Sequence, residues 1–375
     1  VNIDPKESEL SEVFELSDSQ ILIVDEETNE VTPDLTIWSA LRESYLGELV
    51  HFKAADRRKQ GRLLFELGRM EEEIFRDSAA AMARYKKAAE IDHVPWWILA
   101  ALRRRYVLAG SHRKVIDTLK RQLKGVSEET KRAEILERCG RVAAQNIRDY
   151  KSADGFLNKS LDLDGAYETA LMSRIELFKT TKDKRREADA WQAAAHATRD
   201  PDFKACLLAE SAYVHLHEMR DNTRGSELLL VALKSNPHHE GARLGLERQL
   251  FLDKRWSELV DLIVQEADLA PQPTINFCNR YLAGNLAASR LGDKDRSIEL
   301  LEQATILEPD SLLPLWDLLE VYKETGQWER AYGALQRILK LSRQSGSPRV
   351  AASLLFRMGN ICQIRLDDRE RGKQH

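Results

Sequence analysis

The sequence predicts an all-α fold, an α-solenoid of antiparallel helix pairs, on three observations. An amphipathic pattern recurs every 72 residues without a gap. Gly and Pro are few, 18 and 10 in 375 residues, and they gather at turns. Only ILIV at 21–24 reads as a strand. A period in this range marks a repeat array, in which each helix pair buries on its neighbour the apolar stripe that it cannot cover itself.

The pattern is clearest in SIELLEQATILEPD at 297–310, where Ile298, Leu301, Ala304, Thr305 and Leu307 line one face of a helix closed by Pro309. A lone helix of that length is marginal in water, because nucleation consumes what its hydrogen bonds return. The same pattern stands at 225–238 (GSELLLVALKSNPH), 153–166 (ADGFLNKSLDLDGA) and 81–94 (AMARYKKAAEIDHV). Ala81, Ala153, Gly225 and Ser297 are small; Tyr85, Leu157, Leu229 and Leu301 are large; Ala88, Ser160, Ala232 and Ala304 are small again. Asp77, Asp149, Asp221 and Asp293 stand four residues ahead, where a carboxylate caps a helix N-terminus.

A second family of helices runs between these. Val115, Glu187, Leu259 and Ala331 open it, and Leu119, Trp191, Ile263 and Leu335 hold its large apolar column. Upstream, Leu102, Leu246 and Leu318 recur with Arg174 as the exception, followed by Tyr106, Phe178, Leu250 and Tyr322. The array therefore alternates unequal helix pairs, 34 and 38 residues apart. Ahead of it, residues 35–56 read as a capping helix, with Trp38, Leu41, Tyr45, Leu49 and Phe52 forming one stripe over Leu63, Leu64 and Leu67. Residues 57–375 form the array. With three extra residues counted around Gly346, it stops as a second helix is due to begin, so the chain reads as a fragment of a longer protein.

These columns resemble tetratricopeptide repeats. The small–x3–large–x2–small pattern followed by Pro (Ser297, Leu301, Ala304, Pro309) matches that family's second helix. Its Leu-Gly step appears at Leu67-Gly68 and, altered, at Cys139-Gly140 and Ala283-Gly284. Its Gly-x-Trp turn appears at Gly326-Gln327-Trp328, with Trp256 in the same column. The resemblance covers residues 57–375, strongest at 225–340 and weakest at 166–200. It implies about eight repeats plus a partial one, wound as a right-handed superhelix. It further implies that first helices line a groove holding an extended or helical segment of another protein. Matching positions are Arg69, Arg104, Arg141, Tyr213, Arg248, Asn285 and Glu320. Four arginines there point to an acidic ligand, since the guanidinium fork pairs with carboxylates; the competing reading is that they bridge neighbouring helices. The Lys-x3-Asn clamp for a chaperone's C-terminal carboxylate is missing, because Tyr281 stands where the cation should precede Asn285.

Charge is uneven. The net is −4, yet residues 1–36 hold eleven acids against Lys6, and residues 1–34 are expected to be an acidic, largely disordered segment. Residues 95–126 are basic: Arg103, Arg104, Arg105, Arg113, Lys114, Lys120, Arg121 and Lys124 against Asp117. Three readings of this asymmetry are a solvated surface, an acidic tail folded onto the basic repeat, and nucleic-acid binding by the basic patch. The last is disfavoured because Tyr106 is the lone aromatic counted among these cations. ILIV followed by Asp25, Glu26 and Glu27 could add a strand to a partner's sheet edge and resembles the short motif that binds small ubiquitin-like modifiers; a brief strand, or an anchor packed on the array's own first helix, is the plainer reading.

Catalytic motifs are lacking: there is no phosphate loop, nucleophile elbow or metal-hydrolase signature, so an enzyme is not expected. No C-x-x-C pair occurs. Cys206 and Cys278, one period apart, read as half-buried packing residues. His215 and His217 lie two apart on a helix and face different ways, and no metal or cofactor is expected. The longest apolar run, VPWWILAAL at 94–102, is too short to span a bilayer and reads as a buried first helix. The expected function is a cytoplasmic protein-interaction scaffold binding a protein or peptide, with an acidic segment in its groove. The alternative is a regulatory or substrate-recruiting region of a larger protein whose catalytic domain lies outside this chain. A nucleic-acid scaffold ranks third.

Overall fold

Among the described residues, five of the eight second helices open on an aspartate. Asp77 accepts from the Ala79 and Ala80 amides, both at 2.9 Å. Asp149, Asp221 and Asp293 accept from Ser152, Arg224 and Arg296 at 3.1, 3.1 and 3.0 Å. A fifth, Asp183, accepts from the Arg186 amide at 3.2 Å and belongs to the other helix family. Each satisfies an amide that the first helical turn leaves unpaired.

The computed structural model describes residues 22–24, 31–33, 35–52, 56–91, 94–344, 348–368, 370 and 373. Two short strands, β1 (Leu22–Val24) and β2 (Val31–Pro33), pair antiparallel with Ile23 opposite Thr32. Within the apolar run, residues 22–24 are thus a strand paired within their own chain, and apart from β1 and β2 the acidic segment 1–34 lies outside the described residues. Helix α1 (Leu35–His51) follows, then pairs α2/α3 (Arg57–Glu73, Ser78–Ala88), α4/α5 (Trp96–Leu108, His112–Lys124), α6/α7 (Glu129–Val142, Tyr150–Leu163) and α8/α9 (Glu168–Thr181, Lys184–Ala197). Next come α10/α11 (Pro201–Tyr213, Asn222–Ser235), α12/α13 (Glu240–Leu252, Trp256–Leu269), α14/α15 (Pro273–Leu286, Lys294–Leu307) and α16/α17 (Leu313–Glu324, Trp328–Gln344). Helix α18 (Pro348–Ile364) follows and packs on α17. The chain divides into two compact units, Val1–Ala197 and Thr198–His375.

Second helices begin at Ser78, His112, Tyr150, Lys184, Asn222, Trp256, Lys294 and Trp328, alternating by 34 and 38 residues. The inequality has a local cause. Helices α6, α10 and α14 run on through π-helical turns at Ala143–Ile147, Val214–Met219 and Ala287–Leu291, and α2 has 17 residues. Helices α4, α8, α12 and α16 stop after 13, 14, 13 and 12. All eight turns then use a left-handed residue immediately before the N-cap: Arg76, Gly110, Arg148, Lys182, Arg220, Lys254, Gly292 and Gly326, at φ between 52° and 73°. Asp367, at φ 50°, holds the same place after α18.

Packing follows the columns. Tyr85, Leu157, Leu229 and Leu301 are fully buried at 0% exposure, each contributing roughly 1.5–3 kcal/mol. The Leu-Gly step has a steric origin: a Cβ on Gly68, Gly140 or Gly284 would stand 2.5, 2.7 or 2.8 Å from Tyr85, Leu157 or Leu301. In the third 72-residue unit Ala212 takes the glycine column and the small residue moves across to Gly225, where a Cβ would lie 2.5 Å from Leu216. In the first compact unit Tyr85 anchors a core with Leu64, Ile98 and Leu102, against which Leu49 of α1 packs half-buried. In the second, Leu301 joins Leu315, Leu319, Leu335 and, from α18, Leu354 and Met358. Arg174 fits its apolar column by pairing with Asp154 at 3.3 Å and lying over the Phe178 ring at 5.5 Å.

Two expectations are corrected. Cys206 and Cys278 are exposed, whereas Cys139 and Cys362 are the buried thiols. Their column also holds Arg62 and Glu134, both exposed, so it faces solvent. In the VPWWILAAL run Ile98, Leu99 and Leu102 are buried, but Trp96 and Trp97 are 70% and 41% exposed and meet edge-on.

Candidate functional site: clefts between successive first helices

Successive first helices lie side by side in each unit, and polar side chains join them. Glu72 on α2 receives Arg104 at 2.7 Å and Arg105 at 3.3 Å from α4, and the Tyr85 hydroxyl at 2.9 Å. Burial alone would raise the Glu72 carboxyl; the hydrogen bonds from Arg104 and Tyr85 and both guanidinium charges outweigh it and hold the group below the usual carboxylate range. The Ser173 hydroxyl on α8 donates to buried Glu137 on α6 at 2.8 Å. Tyr213 on α10 donates to the Gly241 carbonyl on α12 at 2.8 Å, and Asn285 on α14 to Asp317 on α16 at 3.1 Å.

The seven positions expected to line a groove therefore divide. Arg104, Tyr213 and Asn285 link neighbouring first helices. Arg69 pairs within its own helix with Glu73 at 3.1 Å and Glu66 at 3.6 Å, Arg141 with Glu137 at 3.6 Å, and Glu320 with Lys323 at 2.9 Å. Arg248 alone among these four arginines has no carboxylate partner among the described residues. Sequence supplies the reason. Arg104 finds its counter-ion in Glu72, and the column of Glu72 continues as Ala144, Leu216 and Ala288. Leu216 lines the same cleft as Arg248 and offers it no carboxylate.

Open space recurs with the same period. In the first unit a cleft of about 600 Å³ is lined by Arg141, Gln145, Met172, Ser173, Glu176 and Thr180, among others. In the second, a cleft of about 390 Å³ is lined by the residues 72 positions on: Tyr213, His217, Leu244, Gly245, Arg248 and Leu252. Glu176 is a member that the sequence reading missed, although it shares a column with Arg104, Arg248 and Glu320, along which charge alternates. His217 stacks on Tyr213 at 5.8 Å, whereas His215 is buried, with one ring nitrogen 3.6 Å from Asp221. No group of three His, Cys, Asp or Glu able to hold a metal ion occurs among the described residues.

The cations of the basic patch have different partners. Arg103 donates to Gln122 at 3.1 Å, and burial, together with the Arg138 charge, lowers its guanidinium pKa. Arg105 is largely buried against Glu72, and Arg121 donates to the Ala89 carbonyl. Lys114 and Lys120 lie over Tyr106 and Phe156 at 5.7 and 5.3 Å. Arg113 shares a separate cleft with Lys120, Asp117 and Asp149, and Lys124 is exposed.

The helix pairs, their small–large packing and the open face of the first helices are those of a helical-repeat fold of tetratricopeptide type. No protein-family model matches the chain, and no curated protein matches its sequence. Among solved structures, YrrB, described as a TPR protein with an unusual peptide-binding site, is 18% identical over 49% of this chain and 91% of its own, with a TM-score of 0.28. A tetratricopeptide repeat protein from Parabacteroides merdae is 12% identical over 68% of this chain and 95% of its own, at 0.32. Naa15/Naa10 bound to HypK-THB is 12% identical over 90% of this chain and 55% of that one, at 0.38. With TM-scores below 0.5 these likenesses carry no weight in the assignment, which stands on the 72-residue geometry of the chain itself. Among the described residues no helix is long and apolar enough to cross a membrane.

Proposed function

We propose that this chain is a protein-interaction scaffold that holds a segment of a partner protein along its first helices. The observation that carries this reading is the recurrence of one cleft at equivalent positions in both compact units. The segment carries a carboxylate where it meets Arg248. That guanidinium has no counter-ion among the described residues, shares its cleft with His217, and is flanked by Leu244 and Leu252, which are 49% and 60% exposed. A charge-assisted hydrogen bond in such a cleft is worth about 1.5–3 kcal/mol, roughly 10- to 100-fold in affinity. A reducing, cytoplasmic setting suits the four free thiols.

Affinity capture with the whole chain, quantified against Arg248→Glu, tests the reading. Loss of the principal captured protein by tenfold or more is expected, with a smaller effect from Arg104→Glu, whose wild-type charge is already matched by Glu72. An unchanged set of captured proteins overturns the first-helix site.

A further inference from the structure

A second cleft lies in the second compact unit on the other set of helices. Between α11 and α13 a cavity of about 440 Å³ is walled by Leu230, Leu233, Leu262 and Leu269. Leu230, Val231 and Leu269 are 37%, 42% and 43% exposed. Repeat packing does not require this apolar wall. Where Leu230-Val231 stand, the other three units have Lys86-Lys87, Asn158-Lys159 and Glu302-Gln303. Where Leu262 stands, they have the smaller Thr118, Ala190 and Ala334. One unit in four has thus exchanged polar side chains for large apolar ones on an outer helical ridge, a departure that marks a contact surface.

The rim supplies the complementary chemistry. Arg243 is matched by Glu247 at 2.9 Å and Glu266 at 3.1 Å, and Asp268 by Arg280. Burial chiefly, against the opposing Arg243 charge, raises the Glu266 carboxyl above its ordinary range, as befits a wall poor in water. Lys234 is exposed and has no ion pair among the described residues, so a cation stands unpaired at the mouth. Leu230 and Lys234 lie four apart on α11; Leu262, Glu266 and Leu269 lie four and seven apart on α13. These ridges, about 10 Å long, match the i, i+4, i+7 spacing of a helix laid between them.

We propose that this cleft docks an amphipathic helix of a partner protein, its apolar side chains entering between Leu230 and Leu269 and an acidic side chain meeting Lys234. The site is separate from the first-helix clefts and extends the scaffold reading to a second face.

The test uses the full chain and a small set of fluorescein-labelled, end-capped model helices of about 16 residues with Leu at i, i+4, i+7 and i+11. One series carries Glu beside the apolar row, the other Lys. Anisotropy titration should show the Glu series binding at least about tenfold more tightly, with Lys234→Glu reversing the order. The double change Leu230→Lys with Val231→Lys installs the residues of the first unit's column, so the fold tolerates it, and it should abolish binding. Arg248→Glu should leave these titrations unchanged, which separates this site from the first-helix reading. Equal binding of both series, no binding of either, or binding indifferent to the double change overturns the proposal. So does self-association in sedimentation equilibrium that the double change removes, for then a second copy fills the cleft.

Discussion

Replacing left-handed Arg and Lys residues by glycine should stabilise this protein, which is the opposite of what glycine does elsewhere in a helical chain. Arg76, Lys182, Arg220 and Lys254 have φ of 52°, 57°, 56° and 58°, and glycine in their place would keep the backbone amide bonds that Lys182 and Lys254 make to Lys179 and Phe251. An L-residue held there costs about 1–2 kcal/mol. Glycine relieves that cost but enlarges the unfolded ensemble by about 0.5–1 kcal/mol. The net gain is about 0.5 kcal/mol per site, and because the turns share no partners four changes add to about 2 kcal/mol. That corresponds to a rise in midpoint of a few degrees in a chain of this size. The reverse change isolates the backbone: Gly292 has φ 71° and nothing within 4 Å of where a Cβ would stand, so Gly292→Ala should lower stability by about 0.5–1 kcal/mol without steric conflict. Thermal unfolding followed by circular dichroism reads both. Destabilisation by the fourfold glycine variant would refute the turn geometry.

Gly140→Ala places a methyl 2.7 Å from Leu157 Cγ and 3.2 Å from the Ala153 carbonyl, so about 1–3 kcal/mol of overpacking should outweigh the helix-propensity gain of about 1 kcal/mol; denaturant titration should show a lower midpoint. Glu72 has its carboxyl lowered in the folded state, so its contribution is complete above the ordinary Glu pKa of about 4.3 and is lost as pH falls through the lower folded value. Tyr85→Phe removes one of its donors, and the acid-side loss of stability, read by thermal unfolding between about pH 6 and pH 3, should shrink. Burial pushes the Cys139 thiol up to about 12, whereas Cys206 and Cys278 are exposed; alkylation at neutral pH followed by peptide mapping should modify the latter pair first, and prompt modification of Cys139 would contradict the packing.

The helix-pair construction was legible because burial is periodic: Tyr85, Leu157, Leu229 and Leu301 recur at 72 and all are buried. The aspartate caps were legible for the same reason, and Asp183 was overlooked because its column continues as Ser111, Arg255 and Gln327. The left-handed turns were legible only at glycines, since Arg and Lys give no sign that their backbone is strained. The π-helical turns leave just a four-residue surplus in the spacing. At the site, a column names a position but not its neighbour. Arg104 and Arg248 look alike in sequence, and only the ion pair of Arg104 with Glu72 tells the matched charge from the unmatched one. Trp96 and Trp97 read as core because hydropathy counts their size; at the first turn of α4 they fall outside the buried stripe of Ile98, Leu99 and Leu102.

Hydrogen exchange of the whole chain, free and loaded with the protein that it captures most abundantly, asks which helices the partner covers. Protection concentrated in α6, α8, α10 and α12, around Arg141, Glu176, Tyr213 and Arg248, is the result expected of a scaffold that reads its partner along the first helices. Protection confined to the second helices, or spread evenly over both sets, would contradict it.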